Sequence, residues 1–298
     1  MLQRHPNAVM IYARAYALGD RNLVNGSLEQ FSTARILGSG RPGSSDCLRE
    51  FLTGQFDVRT CTVAARRDVV AGIGGFDKQF TITEDWDLFM RLAWQGSVVF
   101  IAEPLAIYWL GPYQNRLERG RRYSSHQELR RTVKKNVRVS GMDEIDPQFA
   151  ADAIASAEWL CALVEYSLGN SDAAHKHTSD ASTASPLYLQ GFAAARTLVE
   201  HFYDVLGHSS APNEVERAVN NLLNTLIDMD TNRQILYRQS IGYMHARRAF
   251  QAYQADQPST GLRHAIRAAR YDRTWLRNRG LWTSAVHSAK TRIGRIEK

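Results

Sequence analysis

The stretch that decides the fold runs from Thr62 to Asn115 and contains Gly74-Gly75-Phe76-Asp77 followed by Thr83-Glu84-Asp85-Trp86-Asp87-Leu88. A glycine pair reaches backbone conformations that other residues avoid, so it predicts a tight turn. Thr83 before two acids, with apolar residues at helical spacing up to Gly96, predicts a helix that starts at Glu84. A turn that carries an aromatic ring and an acid, close to a helix start with two carboxylates, predicts a small pocket with a positioned base.

Around this stretch, residues 1–118 are predicted to form a mixed α/β domain. Short β-branched or aromatic runs bounded by turn residues predict strands at Val9–Tyr12, Cys61–Ala64 and Val98–Ile101. Asp68–Gly72 predicts one or two helical turns between the second strand and the glycine pair.

Residues 119–298 are predicted to form an all-α accessory domain, because β-branched runs give way to alanine, leucine and charged residues at helical spacing. Asp146-Pro147 predicts a helix start, and Gly169 predicts its end. Ile235–Ala255 and Gly261–Tyr271 predict a helix pair with alanines at a close crossing. The pair is similar to tetratricopeptide-type hairpins, although no clean period of about 34 residues is present.

The composition is that of a globular protein. The chain has 298 residues, of which 44% are hydrophobic and 22% are charged, which excludes collagen-like, low-complexity and wholly disordered classes. Three widely spaced cysteines predict neither a disulfide framework nor a zinc knot. No apolar run reaches the roughly 20 residues of a membrane-spanning helix, and no signal peptide is convincing. The sequence predicts a cytoplasmic protein.

In order and spacing from His5 to Asn115, the chain resembles the later half of the catalytic domain of inverting glycosyltransferases with the GT-A fold (family 2 type), the family that makes bacterial surface and secreted polysaccharides. The pair of motifs at 74–77 and 84–88 is the most specific part of the match. The resemblance implies a partial, Rossmann-like GT-A domain that transfers a sugar from a nucleotide-sugar donor to a saccharide or lipid-linked acceptor.

The same resemblance implies a role for each matching residue. Asp85 would be the general base that takes the proton of an acceptor hydroxyl. Glu84 would orient the acceptor, and Trp86 would offer an aromatic face to a sugar ring. Gly74, Gly75, Phe76 and Asp77 would form the loop beneath the acceptor.

The chemistry of the reaction agrees with these roles. A sugar hydroxyl is a poor nucleophile, so a carboxylate within hydrogen-bond reach must remove its proton. The departing phosphates need a divalent cation or equivalent positive charge. The complete family domain is therefore expected to use Mg²⁺ or Mn²⁺.

The chain also departs from the family pattern. The family's nucleotide-binding half, with its metal-binding Asp-x-Asp, would lie before His5. The Asp-x-Asp triplets at 85–87 and 228–230 follow no buried strand, so neither is assigned as the metal site. Gly111 and Trp109 occupy positions where the family often has histidine and arginine. We therefore expect a fragment or a degenerate homologue that is truncated or inactive as given.

Other motifs are weaker candidates. Residues Gly38–Gly43 match a dinucleotide fingerprint, but no convincing strand precedes them, and a surface loop is favoured. His175 and His177 are two apart and do not share a helix face, so solvated histidines are expected. Glu158 and Glu165 share a helical stripe, for which an inter-helix salt bridge is the common explanation.

The net charge of +7 is concentrated in two stretches. Residues 116–138 hold nine basic and two acidic residues, and residues 263–298 hold ten and two. Residues 126–139 are predicted to form an amphipathic basic helix. This helix either binds the anionic inner face of a membrane or packs on the first domain. The alternative function is thus a non-catalytic module that docks a membrane or a protein. No nucleic-acid-binding motif accompanies the charge.

An unpaired sheet edge predicts poor solubility or a homodimer.

Overall fold

The structure is a computed structural model that describes residues 5–18, 35–38, 47–53, 58–109, 114–207, 210–228 and 230–283. Its strands are β1 Ala8–Leu18, β2 Arg35–Leu37, β3 Ala64–Ala65 and β4 Ser97–Trp109. Its α-helices are α1 Leu48–Leu52, α2 Arg67–Gly72, α3 Glu84–Gln95, α4 Gln114–Val139, α5 Met142–Ile145, α6 Pro147–Ser167, α7 Ser171–Ala184, α8 Phe192–Leu206, α9 Pro212–Leu226, α10 Asp230–Gln254 and α11 Pro258–Tyr271. Short 3₁₀ helices cover Thr60–Thr62, Tyr188–Gln190 and Arg273–Arg277.

A small mixed sheet is built around β1. Strand β4 pairs with β1 in parallel along its whole length, while β2 and β3 pair with it antiparallel. Because β4 fills one edge of β1, the two short strands share the other edge. The β1–β4 register shifts where Arg14 meets Pro104. A proline has no amide hydrogen to donate to the ladder, which explains the irregularity.

The first hydrophobic core lies between this sheet and helices α1, α3, α4 and α6. Aromatic rings from the sheet and α1 meet there, with the Tyr12 ring tilted against those of Phe100 and Phe51 at centroid distances of 5.1 and 6.5 Å. The mixed α/β class predicted for the first domain is confirmed at this level. The predicted strand at Cys61–Ala64 is wrong in part, because Thr60–Thr62 closes a 3₁₀ turn and β3 is confined to Ala64–Ala65.

The remaining chain is helical, as predicted. Helix α6 begins at Pro147, and Asp146 accepts a hydrogen bond from the Phe149 amide at 3.1 Å as its cap. Helices α10 and α11 form the predicted pair, with a core of small residues and Trp275 and Leu281 beside it. Its buried alanines are Ala246, Ala249, Ala265, Ala268 and Ala269.

The compact units are residues 1–157 and 158–298. This boundary differs from the predicted division at 118/119. The physical reason is that α4 and the first half of α6 place Val133, Val137, Ala150 and Ala153 in the first core. The predicted accessory domain therefore loses its first helices to the α/β unit.

Within the described ranges, no helix has the length and apolar character needed to cross a membrane. The apolar side of the basic helix α4 is buried, since Val133 and Val137 are 2% and 1% exposed. This packing favours the second alternative for α4, a helix packed on the first domain. Residues 284–298, the end of the second basic stretch, lie outside the described part of the chain.

Candidate functional site

The predicted glycine turn follows α2 directly. Gly74 and Gly75 have φ angles of 83° and 68°, in the left-handed region where a side chain is strained. The Arg91 guanidinium of α3 donates to the carbonyl oxygens of Ile73 and Gly75, at 2.9 and 2.7 Å. The turn is therefore fastened to α3, the helix that carries the acid pair.

A buried ionic network lies behind the turn. The carboxylate of Asp87 is fully buried, and it accepts hydrogen bonds from Arg91 Nε at 2.8 Å, Lys135 Nζ at 2.7 Å and Asn136 Nδ2 at 2.9 Å. Lys135 also donates to Asp77 at 2.7 Å. That bond is the main reason why the pKa of Asp77 lies below its usual range. Asp77 and Asp87 are thus engaged in ion pairs.

The start of α3 is capped by a residue from α4. Glu128 accepts hydrogen bonds from the amides of Thr81, Ile82 and Thr83 at 3.1, 2.7 and 2.8 Å. Burial raises the pKa of the Glu128 carboxyl, but the three amides outweigh burial, so the net pKa is lowered. Thr83 makes no side-chain cap, because its hydroxyl faces Glu128 and Thr132. The predicted helix start is confirmed, and its cap comes from another helix.

Glu84 and Asp85 form the first turn of α3 and are half-buried. Asp85 Oδ2 accepts from the Thr60 hydroxyl at 2.7 Å, and its Oδ1 accepts from the Trp86 amide at 2.8 Å. Glu84 Oε2 is shielded from solvent and has no hydrogen-bond partner among the described residues. These carboxylates have no basic partner in the described part of the chain, in contrast to Asp77 and Asp87.

The two aromatic residues of the motif lie in different surroundings. The Trp86 ring packs against the first core, with its plane at 79° to that of Phe51 and the centroids 5.9 Å apart. Phe76 is 55% exposed at the glycine turn. Of the two, Phe76 is the more exposed ring and the one that a ligand can reach more easily.

Sequence reasoning missed Thr60 and Arg59. The Thr60 hydroxyl holds Asp85, and the Arg59 guanidinium lies 5.1 Å from the centroid of the Tyr108 ring on β4. The 3₁₀ turn brings Thr60 to the start of α3, 25 positions further along the chain. No motif marks them, so only the tertiary structure could identify them.

Metal-binding potential lies elsewhere. Within the described ranges, the one group of three ligating side chains consists of Glu158, His177 and Asp180. His177 is 6% exposed, with Nδ1 2.7 Å from Glu158 Oε2, so the prediction of a solvated His177 is wrong. Glu158 makes the inter-helix contact expected for it, while Glu165 accepts from Asn170 at 2.8 Å. Among the described residues, no group of three ligating side chains includes Asp85.

The dinucleotide-like stretch falls mostly outside the described residues, which include only Gly38 of Gly38–Gly43.

Comparisons with models of protein families, with curated proteins and with solved structures found no match to this chain. The geometry around α3 is therefore the basis for a functional proposal. It presents a fixed, partly exposed carboxylate that can accept a proton from a hydroxyl.

Proposed function

We propose that the chain is the acceptor side of an inverting sugar transferase of the GT-A type, with Asp85 as its general base. One observation carries this proposal. Among the acids of the motif, Asp77 and Asp87 are bound by lysine and arginine, whereas Glu84 and Asp85 have no basic partner within the described residues.

The mode of attachment supports the role of Asp85. The Thr60 hydroxyl and the Trp86 amide hold its two oxygens, so the carboxylate has a defined position without an ion pair. A base must lie within hydrogen-bond reach of the proton that it takes, and a fixed carboxylate satisfies this requirement at the lowest entropic cost. Glu84, the neighbouring acid in the first turn of α3, is proposed to orient the acceptor.

In the proposed reaction, Asp85 removes the proton of an acceptor hydroxyl as its oxygen attacks the anomeric carbon of the donor sugar. The bond from that carbon to the phosphate oxygen breaks, and the nucleoside diphosphate leaves with the electron pair. The proton ends on the Asp85 carboxylate, and attack from the opposite side inverts the anomeric configuration. General-base catalysis of this kind supplies a factor of about 10² to 10⁴.

The test is turnover of nucleotide sugars. The chain is incubated with UDP-, GDP- and dTDP-linked sugars and an oligosaccharide mixture, and release of nucleoside diphosphate is measured. Because the chain is proposed as the acceptor side, binding of the oligosaccharides to the chain is measured as well. We expect Asp85→Asn to lower the rate by about 10³-fold. Asp68→Asn, which removes an exposed acid from the neighbouring helix α2, is the matched control and should leave the rate unchanged.

Two results would contradict the proposal. Full turnover in the Asp85→Asn variant would exclude this residue as the base. If the oligosaccharides neither bind to the chain nor are glycosylated, the chain is not the acceptor side of a transferase.

A further inference from the structure

A cavity of about 520 Å³ opens between three helices of the second unit. Its walls come from the start of α9, the middle of α10 and the last turns of α11. The lining residues are Pro212, Asn213, Glu216, His245, Arg267, Arg270 and Tyr271. The volume falls in the range of roughly 300 to 1,000 Å³ that is typical of small-molecule sites.

The cavity carries an excess of positive charge. Arg267 and Arg270 lie three positions apart and so project from neighbouring positions on α11. Neither guanidinium makes a hydrogen bond or an ion pair with any residue that the structure describes. Pro212 and Asn213 are the first residues of α9, so the positive end of that helix dipole also faces the cavity.

Glu216, the acid among the described residues of the lining, does not neutralise the arginines. Glu216 Oε1 accepts from the Tyr237 hydroxyl at 2.7 Å and lies 3.5 Å from the Tyr271 hydroxyl. This carboxylate raises the pKa of both tyrosines, together with their burial, which is the larger cause. Glu216 is therefore directed toward hydroxyl donors, and the guanidinium groups remain available for an anion.

A buried histidine completes the wall. His245 is only 3% exposed, yet it lines the cavity, and its Nδ1 lies 3.0 Å from Nδ1 of His264. Burial, with the neighbouring charges of His264 and Arg267, lowers the pKa of His245 to about 4. The ring is thus neutral at pH 7. The Tyr271 ring lies 5.9 Å from it, centroid to centroid, so the two rings form an aromatic wall beside the arginines.

We propose that this cavity binds a small phosphomonoester, whose phosphate is held by Arg267 and Arg270 and whose organic part lies against His245 and Tyr271. Guanidinium groups bind phosphate through paired, charge-assisted hydrogen bonds. The cavity is far larger than a phosphate ion, which is why the ligand includes an organic group. The phosphate belongs either to a free metabolite or to a lipid headgroup.

The experiment measures binding to the full chain. Isothermal titration calorimetry uses AMP as the free phosphomonoester and adenosine as the same molecule without phosphate. Cosedimentation uses phosphatidylcholine vesicles with and without phosphatidic acid. We expect saturable binding of AMP or of phosphatidic acid vesicles, which distinguishes the two sources, and much weaker binding of adenosine or of plain vesicles.

The variant Arg267→Gln/Arg270→Gln should lower the affinity roughly 100-fold, because two charge-assisted contacts are lost. Arg217→Gln/Arg273→Gln removes the same charge from exposed positions outside the lining and is the matched control. Its affinity should stay within about threefold of wild type, since exposed charges act weakly at a distance. Circular dichroism checks that each variant is folded, and Arg270→Lys tests the same contact with charge retained.

The proposal is overturned if neither AMP nor phosphatidic acid vesicles bind, or if both double variants weaken binding equally. Equal loss would mean attraction by net charge instead of a site. Asp85→Asn should bind AMP as wild type does, so failure of the transferase proposal and failure of this one are distinguishable.

Discussion

Asp77, Glu84, Asp85 and Asp87 are chemically similar acids close together in the chain, and their neighbours divide them into two pairs. Asp77 and Asp87 receive hydrogen bonds from Lys135, and Asp87 is fully buried. Glu84 and Asp85 lie in the first turn of α3, are half-buried and have no basic partner among the described residues. Removing a partner from a buried charge costs stability, whereas removing a partly exposed carboxylate mainly costs function.

The glycine turn depends on the backbone conformation of Gly75. Gly75→Ala should destabilise the protein by about 1 kcal/mol, because alanine is strained at a φ of 68°. The added methyl group meets nothing within 4 Å, so the cost comes from the backbone alone. Urea denaturation measures the change in the free energy of unfolding.

Gly72→Ala is the matched control for that variant. Gly72 lies three residues away at the end of α2, where an added methyl group also meets nothing within 4 Å, and it has no positive φ. Alanine there should stabilise the protein by about 0.5 kcal/mol, because it favours helical backbone. Equal effects of the two substitutions would show that the left-handed conformation of Gly75 is not required.

Among the secondary-structure elements, α4 supports the candidate site. Its Glu128 caps the start of α3, and its Lys135 and Asn136 hold Asp87. Its apolar residues Val133 and Val137 are part of the first core. A helix with these contacts positions the acid pair, and its apolar face is not available to a membrane.

The link between α3 and the glycine turn predicts a large effect at Arg91. Arg91→Met should destabilise the protein by about 2 to 4 kcal/mol, because the buried Asp87 loses a charged partner and two carbonyls lose their donor. Arg67→Met, an exposed arginine on α2, should change stability by less than about 0.5 kcal/mol. Thermal melts of both variants test this, and similar melting temperatures would refute it.

For the whole molecule, the relevant boundary is the one between residues 157 and 158. A chain of residues 1–157 keeps α4 and the part of α6 that contributes Ala150 and Ala153 to the first core. It should melt cooperatively by circular dichroism, because its core is complete.

A chain of residues 1–118, cut at the boundary predicted from sequence, should not melt cooperatively. It lacks Val133 and Val137, as well as the Glu128 cap of α3. A cooperative transition in this shorter chain, at the same temperature as in residues 1–157, would show that α4 is dispensable for the first unit.

The spacing of apolar residues, together with glycine and proline at the ends of helices, determined much of the secondary structure. The bounds of α3, the helical second half and the α10–α11 pair follow from apolar spacing and from glycine and proline, which act within a few residues. The glycine turn is also local, since Gly74 and Gly75 adopt the conformations that glycine alone favours.

Tertiary structure alone decided which groups meet across the chain. The Glu128 cap, the Lys135 ion pairs and the Thr60 contact to Asp85 join residues 25 to 58 positions apart, and no local pattern encodes such distances. The buried His177 and the cavity beside Arg267 have the same origin. Burial and charge pairing depend on how helices pack, so the sequence by itself could indicate the acids of the candidate site but not which of them remain unpaired.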